Sequence, residues 1–153
     1  MDKSKEKPTA QASIQEAYGN RLRVRVCGVL KQNGKVLLIK HLGLGDLGYW
    51  WAPPGGGVEF GEHIEDALKR EFLEEVALVI EVGQFLELRE TIKLPLHAIE
   101  LFYEVRKIAG DLAIGRDPET EVQIMSELAW FSVADLAQLP RQAYHPVLTK
   151  LMT

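Results

Sequence analysis

Gly56-Gly57-Val58-Glu59-Phe60-Gly61-Glu62-His63-Ile64-Glu65-Asp66-Ala67-Leu68-Lys69-Arg70-Glu71-Phe72-Leu73-Glu74-Glu75-Val76-Ala77-Leu78 is the stretch on which the reading of this chain turns. A glycine-dense loop runs straight into a helix. At 3.6 residues per turn, Ile64, Leu68, Phe72 and Val76 form one apolar stripe. With Ile64 at zero, Glu75 falls at about 20° and Glu71 at about −20°, within or beside that stripe. Glu74 lies at about −80°, on the flank of the same face, next to the small Ala67. A carboxylate set against a core face needs a partner, because desolvating the charge alone is costly. Glu74 and Glu75 also occupy the last turn, the negative end of the helix dipole, and Glu71 repels Glu75 one turn away. A solvated helix face accounts for Glu65, Asp66 and Lys69, and ordinary i,i+4 pairs would serve Asp66 with Arg70, or Arg70 with Glu74. It does not account for Glu75 inside the stripe, or for the glycines directly before the helix. One bound cation relieves every conflict, so the segment predicts a metal site.

The rest of the chain frames that site. At 153 residues it has the size of one domain, large enough to bury a core without disulfides. Hydrophobic residues at 46% and charged residues at 26% are ordinary for a globular protein. No stretch approaches the roughly 20 apolar residues of a membrane span, and the lysine-rich start lacks the apolar run of a secretory signal. Cys27 is the single cysteine, which excludes an internal disulfide and suits a reducing cytoplasm. A membrane is not an expected partner, and a homodimer is an open expectation. A net charge of −4 argues against non-specific nucleic-acid binding, which needs a basic surface. A polyphosphate ligand would have to be attracted locally, by a metal and a few arginines.

Periodicity divides the chain into a polar, flexible arm over residues 1–19, with a short helical turn near Ile14–Tyr18, and a domain over 20–153. Residues 21–30 alternate at period two and predict a strand. Asn33-Gly34 predicts a hairpin into a strand over 35–40. Residues 41–61 read as a long shaped loop around a short Trp50-Trp51 segment, with the helix following over 63–76. Further strands are expected at 79–90, 98–107 and 127–133, a polar loop at 109–121, a helical turn at 134–139 and a helix at 144–152. Strands on both sides of one central helix predict an α/β sandwich.

Gly56, five residues, Glu62, seven residues, Arg70-Glu71-Phe72, one residue and Glu74-Glu75 together resemble the signature box of the Nudix hydrolases. Ala77 is the one departure, standing where that family has a second glycine. The resemblance implies a Nudix-type α/β/α sandwich around a mixed β-sheet, and hydrolysis of a diphosphate linkage in a nucleoside diphosphate derivative. It implies Mg²⁺, with Mn²⁺ as the substitute, held by Glu71, Glu74, Glu75 and the backbone carbonyl of Gly56. Arg70 would orient those glutamates, completing a catalytic set of Arg70, Glu71, Glu74 and Glu75. Glu62 reads either as an acid favoured at a helix start or as support for the metal ligands. The general base is open between Glu74, Glu119, Glu121 and Glu127. A non-catalytic nucleotide sensor on the same fold is the alternative function, and Ala77 is its only local support.

Two further groups are candidates for substrate binding. Arg21, Arg23 and Arg25 share one strand face; alternation alone predicts that this face is solvated, while the same cations could grip phosphates. Arg23 and Arg25 are the candidates. Trp50 and Trp51 point oppositely in a strand, so one packs in the core while the other is available to stack on a base; Trp51 is the candidate. His97, Glu100 and Tyr103 read as surface or internally satisfied groups.

Overall fold

The computed structural model describes residues 9–116 and 123–152. Period two in the sequence builds both cores at once. Strand β1 (Arg21–Gln32) turns at Asn33-Gly34 into β2 (Lys35–Leu42). Both turn residues have positive φ, 52° and 74°, as a two-residue hairpin matched to strand twist requires. Along these strands Val26, Leu30, Leu37 and Ile39 face one core, and Cys27, Val29, Val36 and Leu38 face the other.

β3 (Tyr49–Ala52) and β7 (Met125–Phe131) flank β2 on its two edges, both antiparallel. β4 (Gly55–Gly57) pairs antiparallel with β1, setting Val26 opposite Gly56. On its other edge β1 runs parallel to β6 (Leu96–Ala109), which pairs antiparallel with β5 (Val79–Lys93). The sheet is therefore mixed. Helix α2 (Ile64–Val76) covers the first core with Leu68, Phe72 and Val76. Helices α3 (Val133–Ala137) and α4 (Val147–Leu151), with a 3₁₀ turn at Arg141–Ala143, close the second core through Leu136, Val147 and Leu148. The result is the expected α/β/α sandwich.

Of the flexible arm expected over residues 1–19, residues 1–8 lie outside the described residues, and the short helical turn expected near Ile14–Tyr18 is longer than expected. Ala10–Tyr18 is a helix, α1, capped by the Thr9 hydroxyl, which accepts the Ala12 N–H at 3.1 Å. Ile14 and Tyr18 are buried in a small cluster with Ile124. Two apolar residues four apart inside a polar run were enough to dock one turn-length face, and tertiary contact stabilised the helix where propensity alone would not.

The exit from α2 depends on Ala77. It adopts the left-handed conformation, φ 58° and ψ 28°, and its N–H donates to the Phe72 carbonyl. The loop that follows β6 clasps this end of the helix. Ala113 N–H reaches the Val76 carbonyl at 3.1 Å and Gly115 N–H the Glu75 carbonyl at 2.7 Å. Two carbonyls left orphaned at the helix end are thereby satisfied.

Candidate active site

The box helix delivers Glu71 and Glu75 to the boundary between core and cavity, as their place in the stripe required. They are only 8% and 5% exposed. β4 lies directly against them. A Cβ built at Gly56 would collide with the Glu71 carboxylate, so only glycine lets the backbone come this close. Arg70 gathers the neighbouring acids. Its Nε and Nη2 donate to Glu62 at 2.9 and 3.0 Å, Nη1 to Glu71 at 2.9 Å and to Glu74 at 3.3 Å, and Nη2 to the Gly57 carbonyl at 3.1 Å. The hydrogen bonds with Glu62 and the charge of Glu71 hold the Arg70 guanidinium above its ordinary pKa, against desolvation. The same bond to Arg70 holds Glu62 below its ordinary range. Glu62 thus fastens the loop to the helix through Arg70.

Among the described residues no three Glu, Asp, His or Cys side chains converge as a ready-formed metal cluster. Glu71 and Glu75 line the cavity beside Gly56; Glu74 does not line it and is drawn to Arg70. Two buried carboxylates beside an accessible glycine backbone still make a donor set of hard oxygens. That set fits a divalent cation that keeps several of its waters. Of the candidate bases, Glu119 and Glu121 lie outside the described residues. Glu127, on β7, is exposed, sits 3.9 Å from Lys40 and takes no part in the cavity.

The cavity itself measures about 210 Å³. Its floor is formed by Arg23 and Arg25 of β1, both half-buried, which corrects the expectation of a solvated face at these two positions; Arg21 is exposed, as that expectation has it. Leu22 and Val24, the alternate residues, are themselves exposed at 58% and 42%. Each arginine has a partner. Arg21 donates to the Ala17 carbonyl at the end of α1, Arg23 lies 4.1 Å over the Tyr18 ring, and Arg25 Nη1 donates to Glu100 at 2.8 Å. Arg23 and Arg25 line the cavity with the carboxylate pair.

Trp51 is a second correction. It is 5% exposed and packs edge-on to Phe131, centroids 4.8 Å apart, inside the second core. Trp50 is the tryptophan that lines the cavity, its ring tilted against His145 at 5.6 Å. Alternation had established that the pair splits; only the sheet's partners decided which face was core.

Glu100, which the sequence left open between a surface group and a satisfied one, is satisfied in a way that no local pattern shows. Its carboxylate is buried and receives Arg25 at 2.8 Å, His145 Nε2 at 2.8 Å and the Thr91 hydroxyl at 3.0 Å. Because His145 Nδ1 accepts the Val147 N–H at 3.1 Å, the ring proton sits on Nε2 and points to Glu100. Burial pushes the Glu100 carboxyl up, and the bond from His145 with the charge of Arg25 outweighs it, leaving a value of about 2. No local signal linked residues 25, 91, 100 and 145. Cys27 is buried with its thiol pushed up to about 12 by desolvation, which makes it an inert core residue.

Comparison with known proteins agrees with this architecture. Residues 19–152 match the family described as the NUDIX domain. The nucleoside triphosphatase NudI of Enterobacter sp. strain 638 is 32% identical over 78% of this chain and 88% of its own length. The ADP-ribose pyrophosphatase of Methanocaldococcus jannaschii is 32% identical over 79% of this chain and 66% of its own length. A NUDIX hydrolase from Nitrosomonas europaea shares the fold, with a TM-score of 0.70 at 20% identity over 85% of each chain. The chain belongs to the Nudix family. It is a nucleotide pyrophosphohydrolase, a hydrolase of phosphoric anhydride bonds, in a family that generally uses divalent metal ions.

Proposed function

We propose that this protein is a Mg²⁺-dependent enzyme of the cytoplasm that splits the diphosphate linkage of a nucleoside diphosphate derivative. Water attacks phosphorus and the anhydride bond breaks, giving a nucleoside monophosphate and either pyrophosphate or a phosphorylated partner. The observation that carries this reading is the buried pair Glu71 and Glu75, set against Gly56 at one wall of a cavity floored by Arg23 and Arg25. Mg²⁺ supplies charge neutralisation at the phosphoryl oxygens and lowers the pKa of a bound water. Mn²⁺ is its natural substitute. Glu71, Glu75 and the Gly56 carbonyl hold the ion, with Glu74 as the third acid. Arg70 holds Glu71 and Glu74 in orientation, as outer partners of metal ligands do. Arg23 and Arg25 offer planar forks suited to phosphate. Trp50 takes the base-stacking role expected of Trp51. Of the two described candidates for the general base, Glu74 and Glu127, Glu74 is the one beside the metal-holding pair, sharing Arg70 with Glu71.

Substrates of the two named relatives, nucleoside triphosphates and ADP-ribose, share the anhydride this site is built to cleave. They define the panel to test. Hydrolysis should require Mg²⁺ or Mn²⁺, stop with EDTA, and carry solvent oxygen into the product. Glu75→Gln should keep the fold while turnover falls by orders of magnitude. Full turnover by that variant, or in the absence of divalent metal, would overturn the metal assignment. Saturable binding of intact nucleotides across the panel, with metal bound, would instead support the sensor.

A further inference from the structure

Helix α1 ends at Tyr18, immediately before the first residue that matches the family. It nevertheless forms a wall of the catalytic cavity, through Ile14 and Tyr18. Two contacts tie it to β1: the Arg21 guanidinium donates to the Ala17 carbonyl, and the Arg23 guanidinium lies 4.1 Å over the Tyr18 ring. Just past the helix, Asn20 N–H donates to the Pro95 carbonyl at 2.8 Å, in the turn between β5 and β6. Arg23 also abuts the glycine strand: its Nη2 lies 2.9 Å from where a Cβ on Gly57 would stand. The guanidinium therefore meets both an aromatic ring and a glycine backbone, where a Cβ would press on its tip. Gly57 is the neighbour of Gly56, which lies against Glu71. Arg23 thus stands one residue along the strand from the glycine that lies against Glu71, and it lines the cavity.

We propose that α1 is part of the substrate cleft and that Tyr18 is a positioning residue. Its ring fixes the Arg23 guanidinium for the phosphoryl group next to the one that meets the metal. A stacked guanidinium loses little further freedom when it binds, so it recognises phosphate better than one that must first be ordered. The group recognised is a pyrophosphoryl unit, common to nucleoside triphosphates and nucleoside diphosphate derivatives. This inference rests on the reading of Arg23 as a phosphate-binding residue, and the test separates the two.

The probe is methylenediphosphonate, a pyrophosphate with a bridge that water cannot cleave, titrated by calorimetry into the full chain with Mg²⁺. Arg23→Ala should weaken binding at least as much as any change at Tyr18. Tyr18→Leu and Tyr18→Met, which remove the ring in two different volumes, should weaken it by about fivefold to twentyfold. Tyr18→Phe keeps the ring and should stay within about twofold of wild type. Adding Tyr18→Leu to Arg23→Ala should cost nothing further, because the tyrosine acts only through the arginine. With nucleoside triphosphates the ring-deleting variants should raise KM and leave kcat near wild type. If Arg23→Ala binds the probe as wild type does, the phosphate role of Arg23 is overturned, and the inference with it. If Arg23→Ala is weakened while the ring-deleting variants bind normally, only the positioning role of Tyr18 fails. An effect of Tyr18→Leu that persists undiminished beside Arg23→Ala would reassign Tyr18 to packing alone.

Discussion

Ala77 shows how a single residue carries a conflict that its neighbours absorb. Its left-handed backbone, φ 58°, is unfavourable for any side chain with a Cβ and easy for glycine. The residue keeps the geometry that the family's glycine would supply, so the helix ends in the same turn and the acids before it stay in place. The cost falls on stability and not on chemistry, which removes the local argument for a non-catalytic sensor. Ala77→Gly should raise stability by about 0.5–1 kcal/mol, the strain relieved less the entropy glycine adds to the unfolded chain. Urea denaturation of the two proteins measures this. An equal or lower midpoint in the glycine variant would contradict it, and turnover should be unchanged.

At the level of elements, the site is a contact between a helix and a three-residue strand. β4 approaches α2 so closely at Gly56 that no side chain fits beside Glu71. The box helix was legible in the sequence because its stripe, acids and glycines are all local; its observed span, Ile64–Val76, follows from that pattern. The strand was not legible, because Gly55–Gly57 has no side chains to alternate and becomes a strand only by pairing with β1. Gly56→Ala should push the Glu71 carboxylate away from the cavity. We expect kcat/KM to fall on the order of a hundredfold, as misplacement of about 1 Å at a reacting centre does. Circular dichroism should show an intact fold and Mn²⁺ titration a weaker metal affinity. An unchanged kcat/KM would mean that Glu71 is not needed in its present place. The end of the same helix is held by hydrogen bonds from Ala113 and Gly115, so the position of Glu75 depends on a segment distant in sequence.

Across the whole molecule, the charges that matter are brought together from distant strands and from the carboxyl-terminal segment. Arg25, Thr91, Glu100 and His145 meet in one buried network. Glu100 is held at about 2, below its ordinary 4.5. A carboxyl depressed in the folded state adds stability that is fully present above its unfolded pKa and is lost as pH falls toward the folded value. The protein should therefore lose stability between roughly pH 4.5 and 2, beyond what its exposed acids explain. Glu100→Gln should be less stable near neutrality, since Arg25 keeps its charge without its partner, and should show a flatter decline over that acid window. Urea midpoints from pH 6 to 2.5 report this; parallel declines in the two proteins would show that Glu100 does not carry the effect. The sequence by itself determined the class: the spacing of Gly56, Glu62, Arg70, Glu71, Glu74 and Glu75, and the alternation of β1 and β2, are set by bonds a few residues long. It could not determine which arginines of β1 face the cavity, which tryptophan is buried, that α1 lines the cavity, or that His145 supports Arg25 through Glu100. Those depend on which surfaces meet when layers stack, and burial, unlike periodicity, is a property of the partner as much as of the residue.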